Sequence, residues 1–219
     1  MIADASNFVV TVNDAFILVV AISVFFLTLI TVLMVTFVIK YNSKRVKKAK
    51  NIRGNLPLEI TWTVIPTILV LVMFWVGWNG YKQMAHPPKD AMTVDVTAQM
   101  WQWKFKYKNG KESDTLYIPV NKDVSFRLHS LDVDHSFFIP AFKIKKDVIP
   151  NRTNVVWFKP EKKGEYVLTC AEYCGLRHSY MQAIVSVIPE STFTAWLTDK
   201  SNVNVADTSF GKDVKLSGE

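Results

Sequence analysis

Residues that crosslink a chain or bind metals are scarce in this sequence: its 219 residues include two cysteines and four histidines. Both cysteines, Cys170 and Cys174, lie in one short segment, so a disulfide framework that spans the chain is excluded. The motif Cys-x-x-Cys-His does not occur, which excludes covalent attachment of a c-type haem to this chain. Lysine and arginine are absent before Lys40, whereas a secretory signal peptide starts with basic residues.

Two long runs without a charged residue, 15–39 and 60–80, dominate the first eighty residues. At about 1.5 Å rise per residue, a helix over either run is long enough to cross a hydrocarbon core of about 30 Å. A cleaved signal peptide is the alternative for the first run, but its apolar stretch is shorter, about 7–15 residues. The pattern therefore predicts two transmembrane helices.

The net charge of +7 is concentrated between these two runs. Seven basic residues and no acidic residue lie from Lys40 to Arg53, and the remaining 19 basic residues balance 19 acidic ones. The positive-inside rule places such a loop in the cytoplasm, so both termini are expected on the outer side. A nucleic-acid partner is not expected, because the whole basic excess belongs to this loop.

The rest of the chain reads as an ordinary soluble domain that follows the stiff linker His86-Pro87-Pro88. Short segments rich in Val, Ile, Phe, Tyr and Trp alternate with turn signals, which favours a β-sandwich or barrel. The predicted strands are 92–99, 101–108, 115–118, 123–129, 153–158, 165–169 and 183–188.

A short helix is predicted after the last strand, because apolar residues recur there at helical spacing. These residues are Phe193, Trp196 and Leu197. From Ser201 the chain is polar and is expected to form a surface tail. The predicted fold class is thus a membrane-anchored all-β protein. Residues 1–89 form a two-helix transmembrane hairpin with a basic cytoplasmic loop, and residues 90–219 form an outward-facing β domain with a C-terminal helix and tail.

Aromatic and polar residues alternate strictly from Trp101 to Lys108. In a strand this alternation places four rings on one face and a polar row on the other. For Trp103, Phe105 and Tyr107 we expect burial in the core of the β domain.

The segment from Cys170 to Met181 holds both cysteines, a histidine and a methionine within twelve residues. Thiolate, imidazole and thioether groups are the ligand set of copper, because the soft sulfurs favour Cu(I) and imidazole accepts either valence. A second histidine is needed to complete such a site, and His135, which follows a predicted strand, can supply it. The candidate ligands are His135, Cys170, Cys174, His178 and Met181.

Several kinds of site compete for these residues. A disulfide would close a loop of only three intervening residues and add little constraint, and a mononuclear copper site would leave one cysteine unused. A zinc site has its four donors, but the spacing is unusual and zinc has no use for Met181. Two cysteines four positions apart can instead place both sulfurs between two copper ions, with one histidine on each ion. We favour this arrangement, and zinc stays open on spacing alone.

A family resemblance rests on the same residues. The pattern Cys-x-Glu-x-Cys-Gly-x-x-His-x-x-Met from Cys170 to Met181, with Asp134-His135-Ser136 upstream, resembles the CuA motif of subunit II of the haem-copper cytochrome c oxidases. The resemblance covers nearly the whole chain, from two N-terminal spans through a domain that the family builds as a cupredoxin-like β-barrel.

The resemblance implies a role for each candidate ligand. The two cysteines bridge two copper ions, His135 and His178 bind one ion each, and Met181 is an axial ligand. Glu172 is implied to offer its backbone carbonyl oxygen to copper and its side chain to a Mg²⁺ or Mn²⁺ ion shared with subunit I.

Two further residues match positions of the family. Trp101 corresponds to the aromatic residue through which electrons enter from the donor, although by pattern alone it belongs to the core stripe. Glu59, at the start of the second span, resembles the glutamate at the mouth of a proton pathway into subunit I. A carboxylate at a membrane interface is otherwise more often a solvated boundary residue.

The implied function is that of subunit II of a cytochrome c oxidase, which relays electrons from cytochrome c to haem in subunit I for reduction of oxygen coupled to proton pumping. Implied partners are subunits I and III, membrane lipid and the donor, in a membrane of bacterial inner-membrane type with the copper domain on the periplasmic side. A quinol oxidase subunit lacks the copper ligands. A CuA-containing nitric oxide reductase subunit and a zinc-stabilised, membrane-anchored interaction domain are the alternatives.

The charge near Trp101 bears on the donor. Family members that use a lysine-rich cytochrome c present carboxylates there, whereas this sequence has Lys104, Lys106, Lys108 and Lys111. Asp132 and Asp134 are a small acidic counterweight. Because complementary charge speeds the encounter of two proteins, we expect an acidic or near-neutral cytochrome c, or a tethered haem c domain, as the donor.

Overall fold

A computed structural model describes residues 5–46, 48 and 53–199. The chain divides into a helical unit, Val10–Ala85, and a β unit that contains the residues on either side of it. Lys47 and Lys50 of the basic loop lie outside the described residues, as does the tail predicted from Ser201.

The helical unit consists of α1 (Val9–Lys40) and α2 (Leu56–Ala85), both long and apolar enough to cross a membrane, with mean hydropathies of 3.0 and 2.0. Each helix extends beyond the uncharged run that predicted it, because polar residues at its ends continue the backbone hydrogen bonding. Asn55 caps α2: its Oδ1 accepts a hydrogen bond from the Leu58 N–H at 3.2 Å. Glu59 lies in the first turn, where a negative charge suits the helix dipole.

The β unit contains two five-stranded sheets, as expected for the predicted cupredoxin-like domain. Sheet 1 has the order β3-β2-β1-β5-β8, and sheet 2 has the order β4-β10-β9-β6-β7. The strands are β1 (Met92–Gln99), β2 (Gln102–Tyr107), β3 (Glu112–Ser113), β4 (Leu116–Pro119), β5 (Val124–Ser130), β6 (His135–Ile139), β7 (Ile144–Val148), β8 (Asn154–Phe158), β9 (Gly164–Cys170) and β10 (Gln182–Ile188). The sequence predicted seven of these strands, and β3, β6 and β7 were not predicted.

The core is rich in aromatic rings. Along β2, burial alternates strictly, so the prediction that Trp103, Phe105 and Tyr107 are buried is confirmed. Trp101 departs from the predicted stripe of four rings, because it lies in the turn before β2 and is only half-buried. Rings from both sheets meet in the centre, where Phe126 stacks against Phe158 and packs at a tilt on Phe137.

Helix α3 (Glu190–Thr198) covers one edge of sheet 2. Its buried face carries Phe193 and Trp196, and the indole ring of Trp196 packs edge-on against Tyr107 at 4.9 Å between ring centroids. The Tyr107 hydroxyl is buried and joins β2 to β4, because it donates to the Tyr117 carbonyl at 3.0 Å and accepts from the Tyr117 N–H at 2.8 Å.

Residues 5–8, which precede α1, belong to the β unit. The Ala5 N–H donates to Ala141 O at 3.2 Å, and the Ala5 carbonyl accepts from the Glu161 N–H at 2.8 Å. Phe8 is buried, and its ring meets Trp157 edge-on at 4.8 Å. This N-terminal segment therefore completes the β domain, which the sequence did not predict.

Candidate metal centre

The loop between β9 and β10 carries most of the candidate ligands. The two strands pair in antiparallel fashion as far as Thr169 and Gln182. Beyond that pair, the Cys170 N–H donates to the Met181 carbonyl at 3.0 Å and closes the base of the loop. The first and last ligand candidates of the segment therefore lie side by side, although ten residues separate them in sequence.

His135 reaches the loop because β6 pairs with β9. Phe137 lies opposite Cys170 in the sheet register, and the Ala171 N–H donates to the Ser136 carbonyl at 3.1 Å. His135 is the first residue of β6, whereas the sequence suggested only that it follows a strand. Its side chain is completely buried.

The donor atoms converge on the pair of sulfurs. The two Sγ atoms of Cys170 and Cys174 are 3.8 Å apart, and both cysteines are free. Cys170 Sγ lies 3.8 Å from His135 Nδ1 and 3.2 Å from the Glu172 carbonyl oxygen. Cys174 Sγ lies 3.5 Å from Nδ1 of His178 and 3.8 Å from Sδ of Met181. Each sulfur thus has its own imidazole and one weaker donor.

The arrangement differs from a single zinc site. His135 Nδ1, Cys170 Sγ and Cys174 Sγ all lie within 4.8 Å of one another, and this group does not include His178. A tetrahedral ion with bonds of about 2.0–2.3 Å would hold its four donors within such a distance of each other. In the structure each histidine instead lies beside a different sulfur atom.

The two thiols differ in their electrostatic surroundings. Burial raises the pKa of Cys170, but the adjacent His135 imidazole and backbone hydrogen bonds from Glu172 and Ser136 outweigh burial and lower the pKa overall. Burial and repulsion by the Cys170 thiolate raise the pKa of Cys174. Cys170 therefore loses its proton more readily than Cys174.

Asp132 contacts the site, although the sequence analysis treated it only as a nearby negative charge. Its Oδ1 lies 2.8 Å from His135 Nε2, and its Oδ2 accepts from the Met100 N–H at 2.7 Å. Burial opposes ionisation of Asp132, but hydrogen bonds from Met100, His135 and Val133 outweigh it and lower the pKa of the carboxyl. An aspartate three residues before a candidate histidine ligand is the sequence signal that could have indicated this role.

Trp101 touches the ligand loop directly. Its Nε1 donates a hydrogen bond to the Cys174 carbonyl at 3.1 Å. Gly175, the next residue, has φ +110°, and a Cβ placed on it would lie 3.4 Å from Cζ2 of Trp101. The half-buried indole ring therefore connects the surface of the β domain to the backbone of a candidate ligand. Trp103 lies beneath the site, where its Nε1 donates to the Met181 carbonyl at 3.4 Å.

The two glutamates predicted to be functional lie in different places. The Glu172 side chain is exposed on the ligand loop, and within the described residues it joins no cluster of three potential metal ligands. Glu59 belongs to the helical unit, where Gly54 leaves room for its carboxylate: a Cβ on Gly54 would lie 2.9 Å from Glu59 Oε1.

The lysines that follow Trp101 are largely paired with nearby acceptors. Lys104 forms an ion pair with Asp114, and Lys106 forms one with Glu112 at 3.3 Å. The Lys111 ammonium donates to the carbonyls of Trp196 and Asp199 and lies 4.3 Å from the centroid of the Trp196 ring. The patch is therefore less basic than a count along the sequence suggested.

Two family models match the chain. The one described as cytochrome c oxidase subunit II, transmembrane domain, matches residues 3–76, and the one described as cytochrome c oxidase subunit II, periplasmic domain, matches residues 110–188. All six candidate ligands, Glu172 included, lie in the second range, and Glu59 lies in the first. Trp101 lies in neither.

Individual relatives agree with the family models. Cytochrome c oxidase subunit 2 of Cereibacter sphaeroides is 29% identical over 226 residues, which cover 84% of this chain and 73% of that protein. Cytochrome c oxidase subunit 2 of Alkalihalophilus pseudofirmus is 34% identical over 160 residues, or 69% of this chain and 47% of that protein. A chain of a haem-copper terminal oxidase dimer solved by cryo-EM is 25% identical, with a TM-score of 0.50, and the match covers 60% of this chain and 99% of that one.

Proposed function

Because the chain belongs to the cytochrome c oxidase subunit II family, we propose that it is the subunit of a haem-copper oxidase that receives electrons from a cytochrome c. It would pass them one at a time to haem in subunit I, where oxygen is reduced to water with proton pumping. One observation carries this proposal: two free cysteine sulfurs lie 3.8 Å apart, and each faces its own histidine nitrogen.

The donor set fits a pair of copper ions. Cys170 and Cys174 would hold the metals through their thiolates, and His135 and His178 would hold them through their imidazoles. The Met181 thioether lies beside Cys174 and the Glu172 carbonyl oxygen lies beside Cys170, and both would be weak donors. When bound, such a copper pair supplies a one-electron redox couple shared by both metals. Soft sulfur and imidazole ligands suit copper in both valences.

The protein around the donors favours rapid electron transfer because it restricts their movement. His135 and Met181 are fully buried, and the two cysteines nearly so. Backbone hydrogen bonds join the start of the ligand loop to β6 at Ser136 and join its two ends to each other, from Cys170 to Met181. We propose that Trp101 provides the route from the surface. The support for this role is its hydrogen bond to Cys174 O and its half-exposed ring.

The exposed carboxylate of Glu172 is proposed to bind a Mg²⁺ or Mn²⁺ ion jointly with subunit I. Its backbone carbonyl already faces Cys170 Sγ, so one residue would contact two metal sites through different atoms. Within the described residues Glu172 belongs to no group of three side chains that could hold a metal ion. The remaining ligands of such an ion would therefore come from another chain or from water.

The two membrane helices anchor the chain, and their apolar faces are proposed to pack against subunit I, with subunit III and lipid as further neighbours. By the positive-inside rule we place the basic loop in the cytoplasm and the β domain on the periplasmic side. Glu59, at the cytoplasmic start of α2, would then lie where a proton pathway into subunit I can begin.

The donor is proposed to be an acidic or near-neutral cytochrome c, or a tethered haem c domain. Lys104 and Lys106 are paired with acidic residues, so the surface near Trp101 is only weakly basic. Exposed apolar side chains flank the turn that carries Trp101, namely Met100, Leu131 and Val133. A donor with an apolar contact patch and little positive charge fits this surface.

Metal analysis with electron paramagnetic resonance on the full chain in detergent tests the proposal. We expect two copper ions per chain and a mixed-valence spectrum. Cys174→Ser should abolish that spectrum without unfolding the β domain, whereas Met92→Leu, which removes a thioether at the far end of β1, should leave it unchanged. Bound zinc, a single copper ion or an intact two-copper spectrum in Cys174→Ser would contradict the assignment.

A further inference from the structure

Asp132 lies between two parts of the proposed copper site that are distant in sequence. Its carboxylate accepts hydrogen bonds from three directions: from His135 Nε2 at 2.8 Å, from the Val133 N–H at 2.7 Å and from the Met100 N–H at 2.7 Å. His135 is a candidate copper ligand, and Met100 precedes Trp101. A single side chain therefore contacts both the ligand and the turn through which electrons would enter.

We propose that Asp132 is a positioning residue, which fixes the tautomer and orientation of His135 and holds the Trp101 turn against the metal site. This inference rests on the proposed function for its consequence in electron transfer, but the hydrogen bonds that it invokes involve only this chain's own residues. Asp132 does not touch the metal position in this arrangement.

The tautomer follows from the hydrogen-bond inventory of imidazole. A neutral imidazole has one N–H and one nitrogen lone pair. When the ring is neutral and Asp132 is ionised, the carboxylate 2.8 Å from Nε2 accepts the hydrogen bond of the one N–H, which leaves the lone pair on Nδ1. The Nδ1 atom lies 3.8 Å from Cys170 Sγ, on the side where copper would bind. Asp132 therefore orients the ring with the correct nitrogen toward the metal.

The two histidines are held differently. His135 is fully buried and bonded to Asp132, whereas His178 is half-buried and forms no ion pair with a carboxylate in the part of the chain that the structure describes. Carboxylate partners of metal-binding histidines orient the ring and raise its basicity. Replacement of Asp132 should therefore disturb one of the two copper ligands selectively.

The second carboxylate oxygen of Asp132 completes a closed series of contacts. Oδ2 holds the Met100 N–H, the neighbouring Trp101 indole donates to Cys174 O, and Cys174 Sγ lies 3.8 Å from Cys170 Sγ. Cys170 in turn faces His135, which is hydrogen-bonded to Asp132. Loss of the carboxylate should loosen the ligand and the tryptophan together.

The first test uses the metal-free full chain in detergent, labelled with ¹⁵N-histidine, at a pH that keeps the imidazoles neutral. The sequence has only four histidines, so their ring nitrogens can be assigned by single substitutions. We expect His135 to carry its proton on Nε2, and Asp132→Ala to convert it to a mixture of tautomers. Asp132→Asn, which can still accept from Nε2, should retain the tautomer and serves as the milder variant.

The matched control is Asp134→Asn. It removes the same charge from an exposed side chain two residues after Asp132. It should leave the His135 nitrogen shifts unchanged. In the copper-loaded chain, Asp132→Ala should weaken copper binding by about 10- to 100-fold and alter the hyperfine coupling of one histidine. Asp134→Asn should do neither.

An unchanged His135 tautomer in Asp132→Ala, or equal losses of copper affinity in Asp132→Ala and Asp134→Asn, would overturn the inference. These outcomes differ from failure of the proposed function. If the unaltered chain binds no copper pair, the assignment as an oxidase subunit fails, while the nitrogen shifts of the metal-free chain still decide whether Asp132 sets the tautomer.

Discussion

The indole N–H of Trp101 donates a hydrogen bond to the backbone carbonyl of Cys174 at 3.1 Å. The contact joins the turn before β2 to the centre of the ligand loop, and the residue after Cys174 is a glycine with φ +110°. The ring therefore lies against backbone where a side chain would otherwise stand. This close approach connects the protein surface to the backbone of a candidate copper ligand.

Gly175→Ala should disturb this contact. The left-handed backbone conformation, φ +110°, strains any residue other than glycine, and relief of that strain would move the loop that carries the Cys174 carbonyl away from Trp101. The added Cβ would itself only touch Trp101 Cζ2, at 3.4 Å. We expect electron transfer from reduced cytochrome c to slow by about tenfold or more, because misplacement by about 1 Å can cost that much. Stopped-flow reduction of the copper centre in the assembled oxidase measures the rate.

Gly110→Ala is the matched control for that substitution. Gly110 also has a positive φ, +87°, but no atom lies within 4 Å of the position its Cβ would take. It should lose stability through backbone strain of about 1–3 kcal/mol and keep the normal electron-transfer rate. If both variants slow electron transfer equally, the Trp101 contact is not the cause.

Tyr107→Phe should destabilise the β domain. The buried hydroxyl makes two hydrogen bonds to the backbone of Tyr117, one as donor and one as acceptor, and phenylalanine removes both. We expect the free energy of unfolding to fall by about 1–3 kcal/mol. Urea unfolding of the full chain in detergent, followed by tryptophan fluorescence, measures the change.

Tyr166→Phe is the matched control for Tyr107→Phe, because it deletes an exposed hydroxyl instead of a buried one. The Tyr166 hydroxyl donates one hydrogen bond to the Lys162 carbonyl at an exposed site, so its loss should change the unfolding free energy by only about 0.5 kcal/mol. A loss in Tyr107→Phe no larger than this would show that the bridge between β2 and β4 contributes little.

Much of the fold was predictable because its signals are local. Uncharged runs indicated the two spans, and alternation along β2 indicated its buried face. Strand β7 was missed because Lys145, Lys146 and Asp147 are all exposed on an edge strand, which removes the alternation. The N-terminal segment was missed because its hydrogen bonds join Ala5 to residues more than 130 positions away.

In the candidate site, too, local features were predictable and contacts between distant residues were not. The ligand types and their spacing lie within one segment, so the donor set was visible in the sequence. The contact of Asp132 with Met100 depends on how the loops before β2 and β6 fold together, and no local pattern encodes that. For its contact with His135, the spacing of three residues was a local signal that the sequence analysis did not use. Likewise, the lysines near Trp101 were counted as free charge because their partners, Glu112 and Asp114, lie across the β2–β3 turn.

Copper loading should depend on pH through the two thiols. The pKa of Cys170 is lowered, whereas the pKa values of His135 and Cys174 are raised. Above the pKa values of Cys170 and His135, only Cys174 must still lose a proton to become a thiolate ligand. Copper affinity should therefore rise about tenfold per pH unit in the range between those values and the pKa of Cys174. At higher pH, beyond the pKa of Cys174, the dependence should vanish.

Calorimetry of copper binding in buffers of different ionisation enthalpy measures this proton release. At a pH where His135 is neutral, we expect about one proton per chain from the thiols. Cys174→Ser removes the group that would release it, so the residual binding of that variant should show no such proton. Release of no proton by the unaltered chain would mean that both thiols are already ionised, contrary to the raised pKa of Cys174.

The ion pairs beside Trp101 make a prediction about the donor. Glu112→Gln with Asp114→Asn would free Lys106 and Lys104 from their partners and make the surface more positive by two charges. With a strongly basic soluble cytochrome c, the KM should rise several-fold at low ionic strength, roughly two- to tenfold, and kcat should stay unchanged. Glu161→Gln with Glu165→Gln makes the same charge change near the start of β9, at the opposite end of that strand from Cys170, and should leave the KM nearly constant.

The unaltered oxidase should use the basic donor weakly and with little dependence on salt, because its surface near Trp101 offers few unpaired charges of either sign. Tight, strongly salt-dependent turnover with that donor would instead require an acidic docking surface and would contradict the proposed acidic or near-neutral cytochrome c.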